Sequence, residues 1–197
     1  MTLITGGARV GKTKLAINLC KDIGPQVLYL AAGGGSAAAL ASNNYTNGCD
    51  PLTDVFFERE IIRRSRKQRP FSWDVREGFL HIAETMEKEG GNYDAILLEN
   101  VRSLISNLMY HFGYSAHNFC LRTLTVDIVE EINRIISTAQ LINSRVIFVT
   151  NEVQLYPTTA DHHYKVLMDI LGRINQHLAS VCDDVYFVAS GIPLKIK

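Results

Sequence analysis

Residues 1–13 read MTLITGGARVGKT, and the order of features within them decides the fold. Met1 to Thr5 is a short apolar run of the kind that forms a buried strand. Gly6 to Thr13 then fits the pattern GxxxxGK[ST], the phosphate-binding P-loop. After Lys12, Leu15, Leu19 and Ile23 recur at i, i+4 and i+8, which predicts a helix stopped by Gly24-Pro25. Strand, glycine loop and helix in that order make a phosphate cradle. Glycines let backbone N–H groups turn inward, and the helix N-terminus adds the positive end of its dipole. Lys12 is placed to reach the outer phosphates, and the Thr13 hydroxyl to ligate magnesium.

Outward from this stretch, apolar runs alternate with helix-period segments. Strands are expected at Val27 to Ala31, Ala95 to Glu99, Val146 to Thr150 and Val185 to Ala189, with Ile192 to Ile196 as a sixth. Helices are expected around Phe79, Ile82, Ala83 and Met86, ended by Gly90-Gly91-Asn92, and over Val101 to Phe112, Leu121 to Ile142 and Tyr164 to Ala179. Uniformly apolar strands separated by helices predict an α/β fold with a mostly parallel sheet covered by helices on both faces. In such sheets ligands sit at the carboxyl ends of the strands. That rule draws Ala32 to Gly35, Glu99 with Asn100, Asn151 with Glu152, and Ser190 with Gly191 towards the P-loop.

With 197 residues, the chain reads as one domain, residues 1–197, carrying a Gly/Ala-rich loop at about 32–53. That loop reads either as a plain surface loop or as a flap beside the nucleotide. Lys plus Arg equals Asp plus Glu, 20 of each, and a protein whose whole surface tracks nucleic acid is usually basic, so the composition disfavours that reading. The arginine run EREIIRRSRKQRP at Glu58 to Pro70 is then better read as local phosphate contacts than as a nucleic-acid track. The four cysteines form no CxxC pair, so neither a zinc site nor a disulfide framework is signalled. The absence of a signal-peptide pattern and of an apolar run near 18 residues predicts a cytoplasmic protein without a membrane span.

Glu99 ends the strand AILLE, where a carboxylate holds magnesium in the second half of a P-loop site; Asp is the commoner residue there. Trp73, the only tryptophan, reads as core or interface before it reads as a base-stacking platform. His162 and His163 are adjacent, and adjacent helical side chains diverge by about 100°, which argues against a shared metal. His81, His111, His117 and His177 fall within helix-like patterns and read as structural or surface groups.

Taken together, TGGARVGKT, VLYLAA, RKQRPFSW with Glu77, LLENVRSLISNLM, VTNEV and GRINQHLASVCDDVYFVASGIPLK occur in an order that resembles the adenosylcobinamide kinase / adenosylcobinamide-phosphate guanylyltransferase family of cobalamin biosynthesis. The last block, Gly172 to Lys195, is the most diagnostic. The resemblance implies a RecA-like P-loop nucleotide-binding fold, a homotrimer and two reactions: phosphorylation of adenosylcobinamide with ATP or GTP, then transfer of GMP from GTP. Carried over position by position, it implies nucleotide contacts from Gly6, Gly7, Ala8, Arg9, Val10, Gly11, Lys12, Thr13, Ala31, Ala32, Gly33, Arg66, Lys67, Gln68, Arg69, Glu77 and Glu99. Lys12 is the expected catalytic cation, and Thr13 with Glu99 the magnesium ligands.

The sequence departs from the family at the histidine that carries GMP. That histidine lies in a pattern like RHRxxRP, and the corresponding stretch here is Arg64-Ser65-Arg66-Lys67-Gln68-Arg69-Pro70. Ser65 stands at the nucleophile's position, and a serine hydroxyl without a base is a poor nucleophile. The resemblance therefore points to the kinase reaction more directly than to guanylyl transfer. Its alternative is a degenerate member that binds nucleotide and serves a regulatory or structural role.

Overall fold

A computed structural model of the chain describes residues 1–33, 69–114, 119–153 and 162–197. Among the described residues, seven strands form one sheet: β1 (Thr2–Gly6), β2 (Val27–Ala31), β3 (Asp74–Glu77), β4 (Ala95–Glu99), β5 (Arg145–Val149), β6 (Asp184–Ala189) and β7 (Ile192–Lys195). The helices are α1 (Lys12–Ile23), α2 (Ile82–Glu89), α3 (Val101–His111), α4 (Leu121–Leu141) and α5 (His162–Val181). A 3-10 turn at Gly90–Asn92 follows α2. The strand order is β3-β2-β4-β5-β1-β6-β7, and every pairing is parallel except the β6–β7 hairpin.

The two faces sort by the period of two along each strand. Leu28 and Leu30, Ile96 and Leu98, and Val146 and Phe148 face a core completed by α2, α3, α4 and α5. Val27 and Tyr29, Ala95 and Leu97, and Ile147 and Val149 face a smaller core closed by Ala16, Ile17 and Cys20 of α1. Trp73 belongs to this second core at 6% exposure, in keeping with the core reading. The same alternation carries Glu99 onto the α1 side of the sheet.

The expected strands and helices are present, most with ends shifted by a residue or two. Three differences are informative. β3 was not foreseen: DVRE has no apolar run and all four residues are exposed, so its strand character comes from pairing with β2, not from its own pattern. The last strand is present but antiparallel, turned back by Ser190-Gly191 with φ of 51° and 85°. His81 lies outside its helix. It caps α2 in the left-handed region at φ 59°, and Phe79 precedes the helix it was expected to join.

His162 and His163 open α5 among aromatic rings. His163 stacks on Tyr110 with centroids 5.1 Å apart, and His162 meets Phe119 edge-on. Among the described residues no group of three or more His, Cys, Asp or Glu side chains is placed to hold a metal ion. None of the described helices is long and apolar enough to cross a membrane.

Candidate functional site

The P-loop leaves β1, an interior strand between β5 and β6, and enters α1 through Gly11, whose φ of 100° is left-handed. Gly6 has φ 146°, and a Cβ there would lie 2.4 Å from the Val188 carbonyl oxygen. Only glycine fits that conformation and that approach at once. Neighbouring strands hold the loop in place. The Gly191 N–H donates to Val10 O at 2.9 Å, and the Glu152 N–H donates to Gly6 O at 3.0 Å. The Thr5 hydroxyl donates to Glu152 Oε2 at 3.1 Å. Asn151-Glu152 and Ser190-Gly191 therefore do arrive at the P-loop, as the strand-end rule implies.

Within the cradle Lys12 is 7% exposed and turns back on its own loop. Its ammonium donates to Gly6 O at 3.1 Å and to Gly7 O at 2.6 Å. Burial pushes its pKa down from 10.5 to about 8, with the Glu99 carboxylate acting in the opposite direction. A charge held this way is short of compensation, so it favours an anion that supplies oxygens in place of the loop carbonyls.

Glu99 is the hub of the site. Thr13 Oγ1 donates to Glu99 Oε1, and Tyr29 Oη donates to Glu99 Oε2. The guanidinium carbon of Arg69 lies 4.1 Å from the centre of the Tyr29 ring. Arg69 is 9% exposed, and its Nη1 has no hydrogen-bond partner among the described residues. β5 alone separates the P-loop strand from the strand that ends in Glu99, and Thr13 at the head of α1 spans that gap.

Ala31, Ala32 and Gly33 continue β2 along the same edge. Ala32 N–H donates to Glu99 O at 2.9 Å, and the buried Asn107 donates through Nδ2 to Ala32 O at 2.9 Å. Glu77, at the end of β3, pairs in register with Ala31 and is exposed at the same level as Glu99. Below the loop, Thr150 Oγ1 donates to Asn175 Oδ1 at 2.8 Å, and Asn175 Nδ2 donates to Asn151 O at 2.9 Å. This bond pair fixes the end of β5 beside the cradle.

The structure thus brings Gly6 to Thr13, Ala31 to Gly33, Arg69, Glu77 and Glu99 to one edge. Ser65, Arg66, Lys67, Gln68 and the Gly/Ala-rich loop from 34 onward lie outside the described residues. Reading by motif missed Tyr29, Asn107 and Asn175. For Tyr29 a signal existed, since residues 27, 29 and 31 share a face with residues 95, 97 and 99.

A glycine cradle with a buried lysine, a threonine hydroxyl and a strand-end carboxylate, on a largely parallel sheet, define a RecA-like P-loop nucleotide-binding protein. A solved ATPase of a bacterial type III secretion system shares that fold, with a TM-score of 0.53 at 12% identity over 95% of this chain and 51% of the other. Residues 2–196 match the CobU family, cobinamide kinase / cobinamide phosphate guanyltransferase, and the chain belongs to that family. It is therefore a transferase of the class that the family defines. Relatives described as bifunctional adenosylcobalamin biosynthesis protein CobU occur in Salmonella typhimurium, 32% identical, and Escherichia coli, 31% identical. Each similarity covers 100% of this chain and 99% of the relative. A protein of Pseudomonas aeruginosa described as bifunctional adenosylcobalamin biosynthesis protein CobP is 24% identical over 99% of this chain and 96% of its own.

Proposed function

We propose that the chain uses a purine nucleoside triphosphate with magnesium to phosphorylate the aminopropanol hydroxyl of adenosylcobinamide. The observation that carries this reading is the joining of Thr13 to Glu99 beside the buried Lys12 ammonium. In this reading Gly6 to Gly11 surround the phosphates, with Lys12 neutralising the outer ones. The donor set fits magnesium: a hydroxyl and a carboxylate are hard oxygen ligands, and this ion keeps waters and phosphate oxygens for its remaining positions. Thr13 and Glu99 would hold it, and bound there it would offset charge on the transferring phosphoryl group. Arg69, buried with one nitrogen unpartnered among the described residues, is placed to meet the phosphates or the base, and Ala31 to Gly33 with Glu77 line the nucleotide's flank.

The second family reaction, transfer of GMP to the new phosphate, needs a nucleophile to take GMP first. Ser65 occupies the position of the family's histidine, so we assign the kinase reaction to this chain before the guanylyl transfer. A degenerate, purely binding role is the second reading, and Ser65 is the observation that favours it. Self-association is part of the proposal. β7 is an edge strand with Ile192 and Leu194 exposed by 71% and 61%, and Ile196 just beyond it is exposed by 58%, an apolar stripe suited to a homotrimer contact.

One assay separates the readings. The protein is incubated with adenosylcobinamide, magnesium and labelled GTP, and products and protein-bound label are followed. Phosphorylated corrinoid without the GDP derivative is the expected result, and Ser65→His is expected to introduce covalent GMP. GTP binding with neither product would favour the degenerate role.

A further inference from the structure

We propose that Tyr29 is a positioning residue for the metal site: its phenol holds one oxygen of Glu99 and thereby commits the other to a divalent cation shared with Thr13. This rests on the magnesium–nucleotide reading above. Tyr29 is 2% exposed and sits mid-strand in β2, with its ring in the α1-side core. That packing, with the Arg69 guanidinium over its ring, holds the phenol where it meets Glu99.

The two donors to Glu99 are not equivalent. Thr13 donates to Oε1 from the first turn of α1, at the mouth of the cradle. A hydroxyl has one hydrogen and two lone pairs, so Thr13 keeps its bond to Glu99 while a lone pair faces a cation. Tyr29 donates to Oε2 from inside the core. Oε2 is thus tied inward and Oε1 is directed to the cradle. A glutamate has one more rotatable bond than an aspartate, and that freedom must be lost when a metal is bound. The phenol removes it beforehand. The arrangement also accounts for Glu rather than Asp at residue 99: the longer side chain spans from the Tyr29 hydroxyl to the Thr13 hydroxyl. Groups that orient a metal's carboxylate typically change metal affinity by about tenfold or more when removed.

The test uses Tyr29→Phe, which keeps the ring beneath Arg69 and deletes only the hydroxyl. Mn2+ binding to the protein–ATP complex is read by electron paramagnetic resonance, and ATP binding is read separately in EDTA. The expected result is Mn2+ affinity about tenfold weaker, with ATP affinity in EDTA within about twofold of wild type. In a Glu99→Ala background the added Tyr29→Phe change should leave Mn2+ affinity unaltered, because the phenol acts through that carboxylate. Unchanged Mn2+ affinity in Tyr29→Phe alone overturns the assignment, as does an equal loss with and without Glu99. Absence of both ATP and GTP binding to the wild type overturns the nucleotide reading itself, and this one with it; if only GTP binds, the same measurements are made with GTP.

Discussion

Raising the pH should weaken nucleotide binding through Lys12 while stabilising the empty protein. The Lys12 ammonium is buried, and that burial brings its pKa from 10.5 to about 8. Its folded pKa is therefore below its unfolded one. Below about pH 8 both states are protonated and the native state bears the whole cost of the buried charge. Between about 8 and 10.5 the unfolded chain keeps the proton that the native chain gives up, so stability rises with pH. Over the whole interval, at 1.36 kcal/mol per pH unit, the gain is about 3 kcal/mol. Binding has the opposite sign. A triphosphate favours charged Lys12, so affinity is constant below about pH 8 and falls above it. From about pH 7 to about pH 9.5 the charged fraction falls about 30-fold, and Kd for ATP should rise by that factor. The assay is calorimetric titration with a non-hydrolysable ATP analogue, beside urea unfolding of the free protein at each pH. Lys12→Arg stays charged throughout and should flatten both trends. A Kd independent of pH in the wild type, or the same rise in Lys12→Arg, would refute the reasoning.

Gly6→Ala places a Cβ 2.4 Å from the Val188 carbonyl oxygen at φ 146°, and should cost about 3 kcal/mol in urea unfolding and abolish ATP binding. Asn175→Leu leaves the buried Thr150 hydroxyl without its acceptor and Asn151 O without its donor, and should cost about 2 kcal/mol with weaker ATP binding. Burial pushes the Cys20 and Cys182 thiols up to about 12 and about 11, whereas hydrogen bonds from Thr123 lower that of exposed Cys120. Of these three, Cys120 should be alkylated first by iodoacetamide near neutral pH, read by peptide mass spectrometry. Ile192→Asp with Leu194→Asp should reduce the mass found by light scattering to that of one chain, with ATP binding retained.

Much of this was legible because the decisive features are local. β2 and β4 read to the residue, since each is a continuous buried run bounded by turn-forming or charged neighbours. The P-loop is eight consecutive residues, and the parity of AILLE puts Glu99 on the face of α1. β3 was hidden because the exposed DVRE takes its strand form from pairing with β2, more than 40 positions away. The Tyr29–Glu99 bond joins residues 70 apart, and Thr150–Asn175 residues 25 apart. A lone tyrosine in an apolar strand and a lone asparagine in an amphipathic helix acquire their roles only when the chain is folded. His81 misled because helical spacing of apolar neighbours does not reveal which residue adopts the left-handed turn before the first helical one.

The tie between the Ser190-Gly191 turn and Val10 has a consequence for inheritance. Gly6 is shaped by Val188, and Val10 is bonded to Gly191, so the P-loop and the β6–β7 hairpin form one unit despite lying about 180 residues apart in sequence. A chimera that takes its N-terminal third from one relative and its C-terminal third from another would split that unit. Compatible pairs should be exchanged together, and a change in either end would be expected to select for compensation in the other.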